Sequence, residues 1–289
     1  MREERRATPR TGIPLRAVVP NAVTALALCS GLFGIRFAIA ADWERACYAI
    51  LIAAVLDGMD GRIARALRGQ TRFGAELDSL SDVIAFGVSP AIILYLWSLQ
   101  SPAIAPFGWL LALGYAVCMA LRLARFNARI DVEDQPHKSA GFLTGVPAPA
   151  GAGLMLLPLF LWLASDGRWT WLNDVRLTAP WTALVAFLVI SSVATYSWGS
   201  LRLRRNVRLE AILIIAIAGA ALFAAPFGTL SVIAIVYLAL IPLSILSYAR
   251  VRRQRAALAA APAPASPAAS LPAGRPARRR RSPPNAPSE

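Results

Sequence analysis

Four aspartates, Asp57, Asp60, Asp78 and Asp82, fall within the stretch LDGMDGRIARALRGQTRFGAELDSLSD, whose flanks are apolar enough to read as membrane-spanning helices. A carboxylate at the middle of a bilayer helix costs about 2.5–3.5 kcal/mol on insertion scales, so four together call for a compensating partner. Divalent cations are such partners: they take oxygen ligands, and Mg²⁺ typically keeps waters and bridges carboxylates to substrate phosphates. The expected chemistry is metal-assisted work on a phosphorylated substrate. Pairing of the aspartates with loop arginines is the structural alternative.

The spacing sharpens the expectation. Asp57 and Asp60 are three apart, and with Gly61 and Ala64 they share one face of a helix. Asp78 and Asp82 are four apart and stack on the next helix. The loop between them is expected from Arg65 to Gly74, which puts Asp57 and Asp82 each eight residues from it. At a rise of about 1.5 Å per residue both lie about 12 Å deep, so an antiparallel helix pair brings the carboxylates to similar depth. Small residues at 58, 61, 64 and 74 leave room for a bulky ligand to approach the backbone. Glu76 is expected to point away from the Asp78/Asp82 face, as a surface or capping acid.

Asp57-x-x-Asp60-Gly61-x-x-Ala64-Arg65, eight residues, then Gly74-x-x-x-Asp78-x-x-x-Asp82, resembles the signature of the CDP-alcohol phosphotransferases, with every defining position filled. The resemblance implies displacement of CMP from a CDP-linked lipid by an alcohol, with Mg²⁺ or Mn²⁺, two ions, as cofactor. It also implies roles: Asp57, Asp60 and Asp78 as metal ligands, and Asp82 as general base sharing in the metal contacts. Gly61, Ala64, Arg65 and Gly74, with Asp57 and Asp78, resemble the nucleotide-binding positions. Arg65 offers forked geometry to a phosphate or nucleotide; as a simple alternative it anchors the helix on the positive side of the membrane.

The acceptor alcohol is read from other segments. RLARFNAR (122–129), HKSAGFLTGVPAPAGAG (137–153), VPNAVTALALCSG and SSVATYSWGSLR resemble the bacterial phosphatidylserine synthases, and the likeness runs from about residue 12 to 205. It implies CDP-diacylglycerol and L-serine as substrates. The serine carboxylate needs a cation, for which Arg122, Arg125 and Lys138 are candidates, while Asn127 and Thr144 could bind polar groups. Arg122 and Arg125 are three apart and can present one face, although positive-inside anchoring alone would also place arginines here. Gly145, Pro147 and Pro149 are expected to shape the entry to the following helix. His137, the single histidine, matches no motif and is read as solvated. Glycerol 3-phosphate, inositol phosphate or choline as acceptor would keep the aspartates and change the pocket. Intramembrane carboxylates also mark ion-coupled transporters, a reading that leaves Arg65 and Gly74 at fixed distance from four acids unexplained.

The elements that must hold these residues follow from composition. The chain has 289 residues, 57% of them hydrophobic, and a mean hydropathy of +0.54, beyond a soluble domain. Apolar stretches of spanning length predict an all-α, polytopic membrane helical bundle of about eight helices, near 17–40, 46–65, 76–98, 106–126, 147–165, 179–198, 209–225 and 227–249. Arginines crowd the N-terminus, alternate loops and the tail, so both termini and the aspartates are expected on the cytoplasmic side of the inner membrane. The domain plan is a basic segment 1–16, a catalytic membrane domain 17–205, two further helices over 206–249, and a disordered Pro/Ala/Arg-rich tail 250–289.

The net charge of +14 is distributed between spans and not on one continuous face, which favours anionic membrane lipid over nucleic acid as partner. The charged N-terminus lacks a small-residue cleavage site and is not expected to be a removable signal. Cys29, Cys47 and Cys118 lie within predicted spans at no metal-ligand spacing and read as small apolar residues. A homodimer is the assembly expected from the resemblance.

Overall fold

The computed structural model describes residues 15–128, 142–191, 194–196 and 208–260. Helix α1 covers Leu15–Ile39 and α2 covers Trp43–Ala66. Asp42 opens α2, its side chain accepting a hydrogen bond from the Arg45 backbone N–H at 3.1 Å, which satisfies one of the donors that every helix N-terminus leaves free. Helix α3 runs from Arg72 to Leu99 and widens into π-helix at Val83–Val88 and at Tyr95–Leu99. Helix α4 covers Phe107–Ala128. Helices α5 (Ala148–Met155), α6 (Leu157–Ala164) and α7 (Val175–Ile190) follow, then α8 (Arg208–Ala224) and α9 (Pro226–Ala260).

Among the described residues, three helices are long and apolar enough to cross a membrane, Val18–Ile39, Arg72–Leu99 and Phe107–Ala128, with shorter apolar helices at Val175–Ile190 and Pro226–Pro242. The protein is a multi-pass helical membrane bundle. Helix α2 is 24 residues long, and its second half carries Asp57, Asp60, Arg62 and Arg65; it is not among these three.

Several expected boundaries move for identifiable reasons. The helix expected at 147–165 is broken at Leu156. Pro158 has no N–H for the carbonyl of Leu154, and that carbonyl accepts instead from Trp181 Nε1 at 2.9 Å. The helix expected to reach 198 stops at Ile190. Ala194–Tyr196 forms instead a short strand, β2, antiparallel to β1 (Phe142–Thr144), with Phe142 opposite Tyr196. The segment holds Val193, Thr195 and Tyr196, which favour an extended backbone, and this pair is a small departure from an all-α chain. Helix α9 continues to Ala260, ten residues past the point where the tail was expected to begin. After Val251 its last turns, RRQRAALAA, consist of strong helix formers. The chain divides into two compact units, 1–251 and 252–289; the described part of the second, 252–260, is helical.

Lipid tails are as apolar as leucine, so packing depends on close approach of small residues more than on transfer from water. Helix α1 lies along α2 and also touches α3. Gly31 makes that second contact possible, because a Cβ there would lie 2.7 Å from the Ala85 Cα. Helix α4 packs on α7. Tyr115 and Phe86 are buried at the centre, and the Tyr115 hydroxyl donates to the Phe86 carbonyl at 3.0 Å, within the first π-helical stretch.

Candidate active site

The turn between α2 and α3 sets the two halves of the aspartate motif against each other. Arg68 adopts a left-handed conformation (φ +48°), the Gly69 N–H bonds to the Ala64 carbonyl at 2.9 Å, and the Arg68 N–H to the Arg65 carbonyl at 3.2 Å. This is a Schellman ending, with arginine where glycine is usual. Thr71 then caps α3, its hydroxyl accepting from the Gly74 N–H at 3.0 Å. Five residues, 67–71, separate the end of α2 from the start of α3.

Asp57, Asp60 and Asp78 converge: each offers a carboxylate oxygen, and these oxygens lie within 4.8 Å of one another. Asp60 is buried, at 5% exposure, and its Oδ2 accepts from the Thr24 hydroxyl of α1 at 2.6 Å. The Asp82 carboxyl lies beside that of Asp57, close enough for a side-chain hydrogen bond. It is outside the group of three, at its deeper edge. Ser81 ties α3 to α1 by donating to the Thr24 carbonyl at 3.3 Å. Glu76 is exposed, away from the cluster.

The donor set suits a divalent cation. Among the described residues, arginine–carboxylate bridges occur at Arg45–Asp42 (3.0 Å) and Arg168–Asp166 (2.8 Å), and neither involves the four aspartates. Three converging carboxylates, one of them oriented by a hydroxyl, can coordinate one such ion. Pairing of these acids with loop arginines is not found among the described residues.

Beside the carboxylates lies a cavity of about 240 Å³ between α1, α2 and α3. Gly61, Ala64, Arg65, Gly74 and Asp78, five of the six positions expected to meet the nucleotide, line it; Asp57 joins the carboxylate group without lining the cavity. Gly74 sits where a Cβ would come within 2.7 Å of Asn21 Oδ1, so only glycine leaves that wall open without moving Asn21. Gly58 faces open space and takes no part. Sequence reasoning missed Asn21 and Thr24 of α1 and Gln70 and Thr71 of the turn, all of which line the cavity. The signal for the first two was their three-residue spacing, two polar side chains on one face of an otherwise apolar helix.

The residues expected at the acceptor end are treated differently by the fold. Arg125 Nη2 donates to the Ile190 carbonyl at 2.8 Å, closing the end of α7. Asn127 Nδ2 donates to Ser79 Oγ at 2.8 Å and joins α4 to α3. Arg122 is half-buried between them and the core, and its Nε and Nη1 are buried without a hydrogen-bond partner among the described residues. It lies close enough to Asp82 for the two to interact electrostatically, yet they form no ion pair. Thr144 is in β1, with its backbone opposite Ala194. Lys138 and His137 lie outside the described residues.

Comparison with known proteins agrees with this geometry. The family model described as CDP-alcohol phosphatidyltransferase matches residues 17–196, and a second, CDP-alcohol phosphatidyltransferase 2, matches residues 206–242. A CDP-diacylglycerol–serine O-phosphatidyltransferase of Mycobacterium tuberculosis is 39% identical over 239 residues, covering 82% of this chain and 81% of its own. The enzyme of that name from Helicobacter pylori is 31% identical over 221 residues, 76% of this chain and 87% of its own. That of Methanocaldococcus jannaschii is 34% identical over 144 residues, half of this chain and 60% of its own. The aspartate motif, the helices that carry it and the extent of these matches together mean that the chain belongs to the CDP-alcohol phosphatidyltransferase family.

Proposed function

We propose that the protein is a phosphatidylserine synthase, which transfers the phosphatidyl group of CDP-diacylglycerol to the hydroxyl of L-serine and releases CMP. The observation that carries the choice of acceptor is Arg122: a guanidinium whose Nε and Nη1 are buried with no hydrogen-bond partner among the described residues, near Asp82 but not paired with it. Serine has the matching chemistry, an attacking hydroxyl and an anionic carboxylate three bonds apart. Its hydroxyl can face Asp82 while its carboxylate neutralises Arg122. A buried cation with no partner is costly, and this arrangement removes the cost only when an anionic acceptor is bound.

In the reaction the serine oxygen forms a bond to the phosphorus that bears the diacylglycerol. The bond from that phosphorus to the CMP oxygen breaks, and the hydroxyl proton passes to Asp82 as general base. Asp57, Asp60 and Asp78, with Asp82 at the edge, would hold the divalent metal, read as two ions of Mg²⁺ or Mn²⁺. The chemistry such ions supply is neutralisation of the pyrophosphate and stabilisation of CMP as it departs. Gly61, Ala64, Arg65 and Gly74 form the nucleotide's wall, joined by Asn21 and Thr24. Arg125 holds the end of α7 and Asn127 joins α4 to α3 beside the acceptor, and Lys138 and Thr144 are assigned to acceptor binding from the resemblance of their segment alone.

The site faces the cytoplasm of an inner-membrane enzyme with both termini on that side, in keeping with the arginines at the α2–α3 turn. The lipid's acyl chains stay in the bilayer while its nucleotide enters the cavity. Residues 17–205 form the catalytic module, 206–249 two additional spans, and the assembly is a homodimer.

The test is CMP release by the purified protein in nanodiscs containing CDP-diacylglycerol and Mg²⁺ or Mn²⁺, with serine, glycerol 3-phosphate, inositol phosphate or choline added singly. Stimulation by serine alone is expected. Stimulation by another alcohol keeps the aspartate chemistry and overturns the acceptor. Asp82→Asn is expected to abolish turnover with nucleotide binding retained; near-normal turnover removes Asp82 as the base.

A further inference from the structure

The turn of α3 that carries Asp78 and Asp82 also carries Ser79 and Ser81, and both serines are bonded to other helices. This stretch is regular α-helix, the π-helical widening beginning only at Val83. With about 100° between successive residues, Asp78 and Asp82 lie about 40° apart, and the two serines stand about 80° to either side of the direction midway between them. The carboxylate face is thus bracketed by two hydroxyls. On one side Ser81 Oγ, on a residue 3% exposed, donates to the Thr24 carbonyl of α1 at 3.3 Å. On the other, Ser79 Oγ accepts from Asn127 Nδ2 of α4 at 2.8 Å.

The second joint has a defined polarity. The Ser79 hydroxyl donates its one proton to the Ala75 carbonyl of its own helix at 3.1 Å, so it has lone-pair capacity to offer a neighbour. The asparagine amide supplies the matching donor. Asn127 is half-buried in the last turn of α4. Two residues before it, Arg125 is bonded to the Ile190 carbonyl at 2.8 Å, so this end of α4 is itself anchored. A rotation of α3 about its axis, the motion that would carry Asp78 away from Asp57 and Asp60, works against both serine bonds. Functional constellations tolerate displacements of only about 0.5 Å or 10–20°, so a small rotation is enough to matter.

We propose that Asn127 is a positioning residue for the metal site: through Ser79 it sets the rotation of α3, and with it the bearing of Asp78 and Asp82 on Asp57 and Asp60. It also ties that bearing to α4, the helix that carries Arg122. The proposal rests on the reading of the aspartates as metal ligands and base. It gives Asn127 a part distinct from direct contact with the acceptor, and the two parts differ in what they move: metal affinity in one case, the KM for serine in the other.

The experiment uses the full chain in phosphatidylcholine nanodiscs, comparing wild type with Asn127→Ala, Ser79→Ala, the double variant, Ser79→Thr and Asp78→Asn. Mn²⁺ affinity is read from the loss of the free-ion EPR signal with no substrate present, and KM for serine from CMP release at saturating Mn²⁺. Asn127→Ala and Ser79→Ala are each expected to weaken Mn²⁺ binding about tenfold, the low end of the range for groups behind metal ligands, with the serine KM unchanged. The double variant is expected to be no weaker than either single one, because both remove the same bond. Ser79→Thr, which keeps the hydroxyl, is expected to bind Mn²⁺ like wild type. Unchanged Mn²⁺ affinity in Asn127→Ala overturns the proposal, whether it comes with a lower melting temperature, the mark of a helix joint alone, or with a raised serine KM, the mark of acceptor contact. Additive losses in the double variant overturn it as well. Asp78→Asn separates the two readings. If it leaves Mn²⁺ affinity unchanged, the metal assignment itself fails; if it weakens binding while Asn127→Ala does not, only the positioning proposal fails.

Discussion

Thr178 and Ser98 bury their hydroxyls as fully as Asp60 buries its carboxylate, at 0%, 6% and 5% exposure, but the two clusters are completed in opposite ways. Ser98 and Thr178 meet at 2.6 Å, Ser98 reaches the Asn173 carbonyl at 2.7 Å, and Asn173 Nδ2 donates to the Trp97 carbonyl at 2.8 Å. Every side chain of that neutral group finds its partner within the protein, so it joins α3 to α7 and asks for nothing else. Around Asp57, Asp60 and Asp78 the described residues supply one hydroxyl, from Thr24, and gather like charges. Burial of polar groups therefore marks a structural joint when the partners are internal. It marks a site when they are missing.

The difference can be broken most forcefully at Asp60. Asp60→Asn is expected to lower CMP release by more than about 100-fold, since even outer partners of metal ligands are worth 10–100-fold. In metal-free buffer the same substitution is expected to raise the melting temperature, because it relieves like-charge repulsion; a fall would make Asp60 a structural residue like Thr178. Thr24→Val tests that hydroxyl. Removing a ligand-orienting hydroxyl is expected to weaken Mg²⁺ or Mn²⁺ activation about 10–100-fold, read from the metal concentration giving half-maximal rate.

At the other cluster the expectation reverses. Thr178→Val leaves the partners of a buried hydroxyl unsatisfied and is expected to cost about 1–2 kcal/mol of stability, with serine and lipid KM values intact. A loss of activity beyond the loss of folded protein would erase the distinction. The smallest effect is expected at Arg68, whose left-handed backbone costs a residue with a Cβ about 1 kcal/mol or somewhat more. Arg68→Gly is expected to raise thermal stability slightly, as measured by the melting temperature in nanodiscs.

Much of this site was legible because its chemistry is local in sequence. Three- and four-residue spacings place Asp57, Asp60, Gly61 and Ala64 on one face and Asp78 and Asp82 on the next, and a short turn leaves only an antiparallel pairing. Periodicity, however, says which face is shared, not which helix lies opposite. Asn21 and Thr24 have the same spacing signal, but nothing in the sequence says that α1 delivers them to the aspartates. The roles of Arg122 and Arg125 could not be separated by type or spacing. The fold separates them through the free end of α7, which takes up Arg125 and leaves Arg122. The break at Leu156 was readable in principle from Pro158, and the extended segment at 194–196 from its β-branched and aromatic residues. In an apolar background those signals were outweighed by hydropathy alone. The length of α9 was masked by composition, since alanine and arginine favour helix and also fill the tail beyond it.

The π-helical stretch at Val83–Val88 begins directly after Asp82. Each residue of an ordinary helix turns the next by about 100°, so a wider turn at this point changes the phase between the two ends of α3. The end bearing Asp78 and Asp82 can keep its bearing on α2 while the far end, with Ser98, keeps its own on α7. One helix thus obeys two sets of neighbours that a uniform rod could not satisfy together. Loss of a single residue between 83 and 88 would be a steering error, swinging one end by about 100° while leaving every side chain of both clusters in the sequence. The integrity of the active site therefore depends on residue count in a segment that contributes no ligand to it.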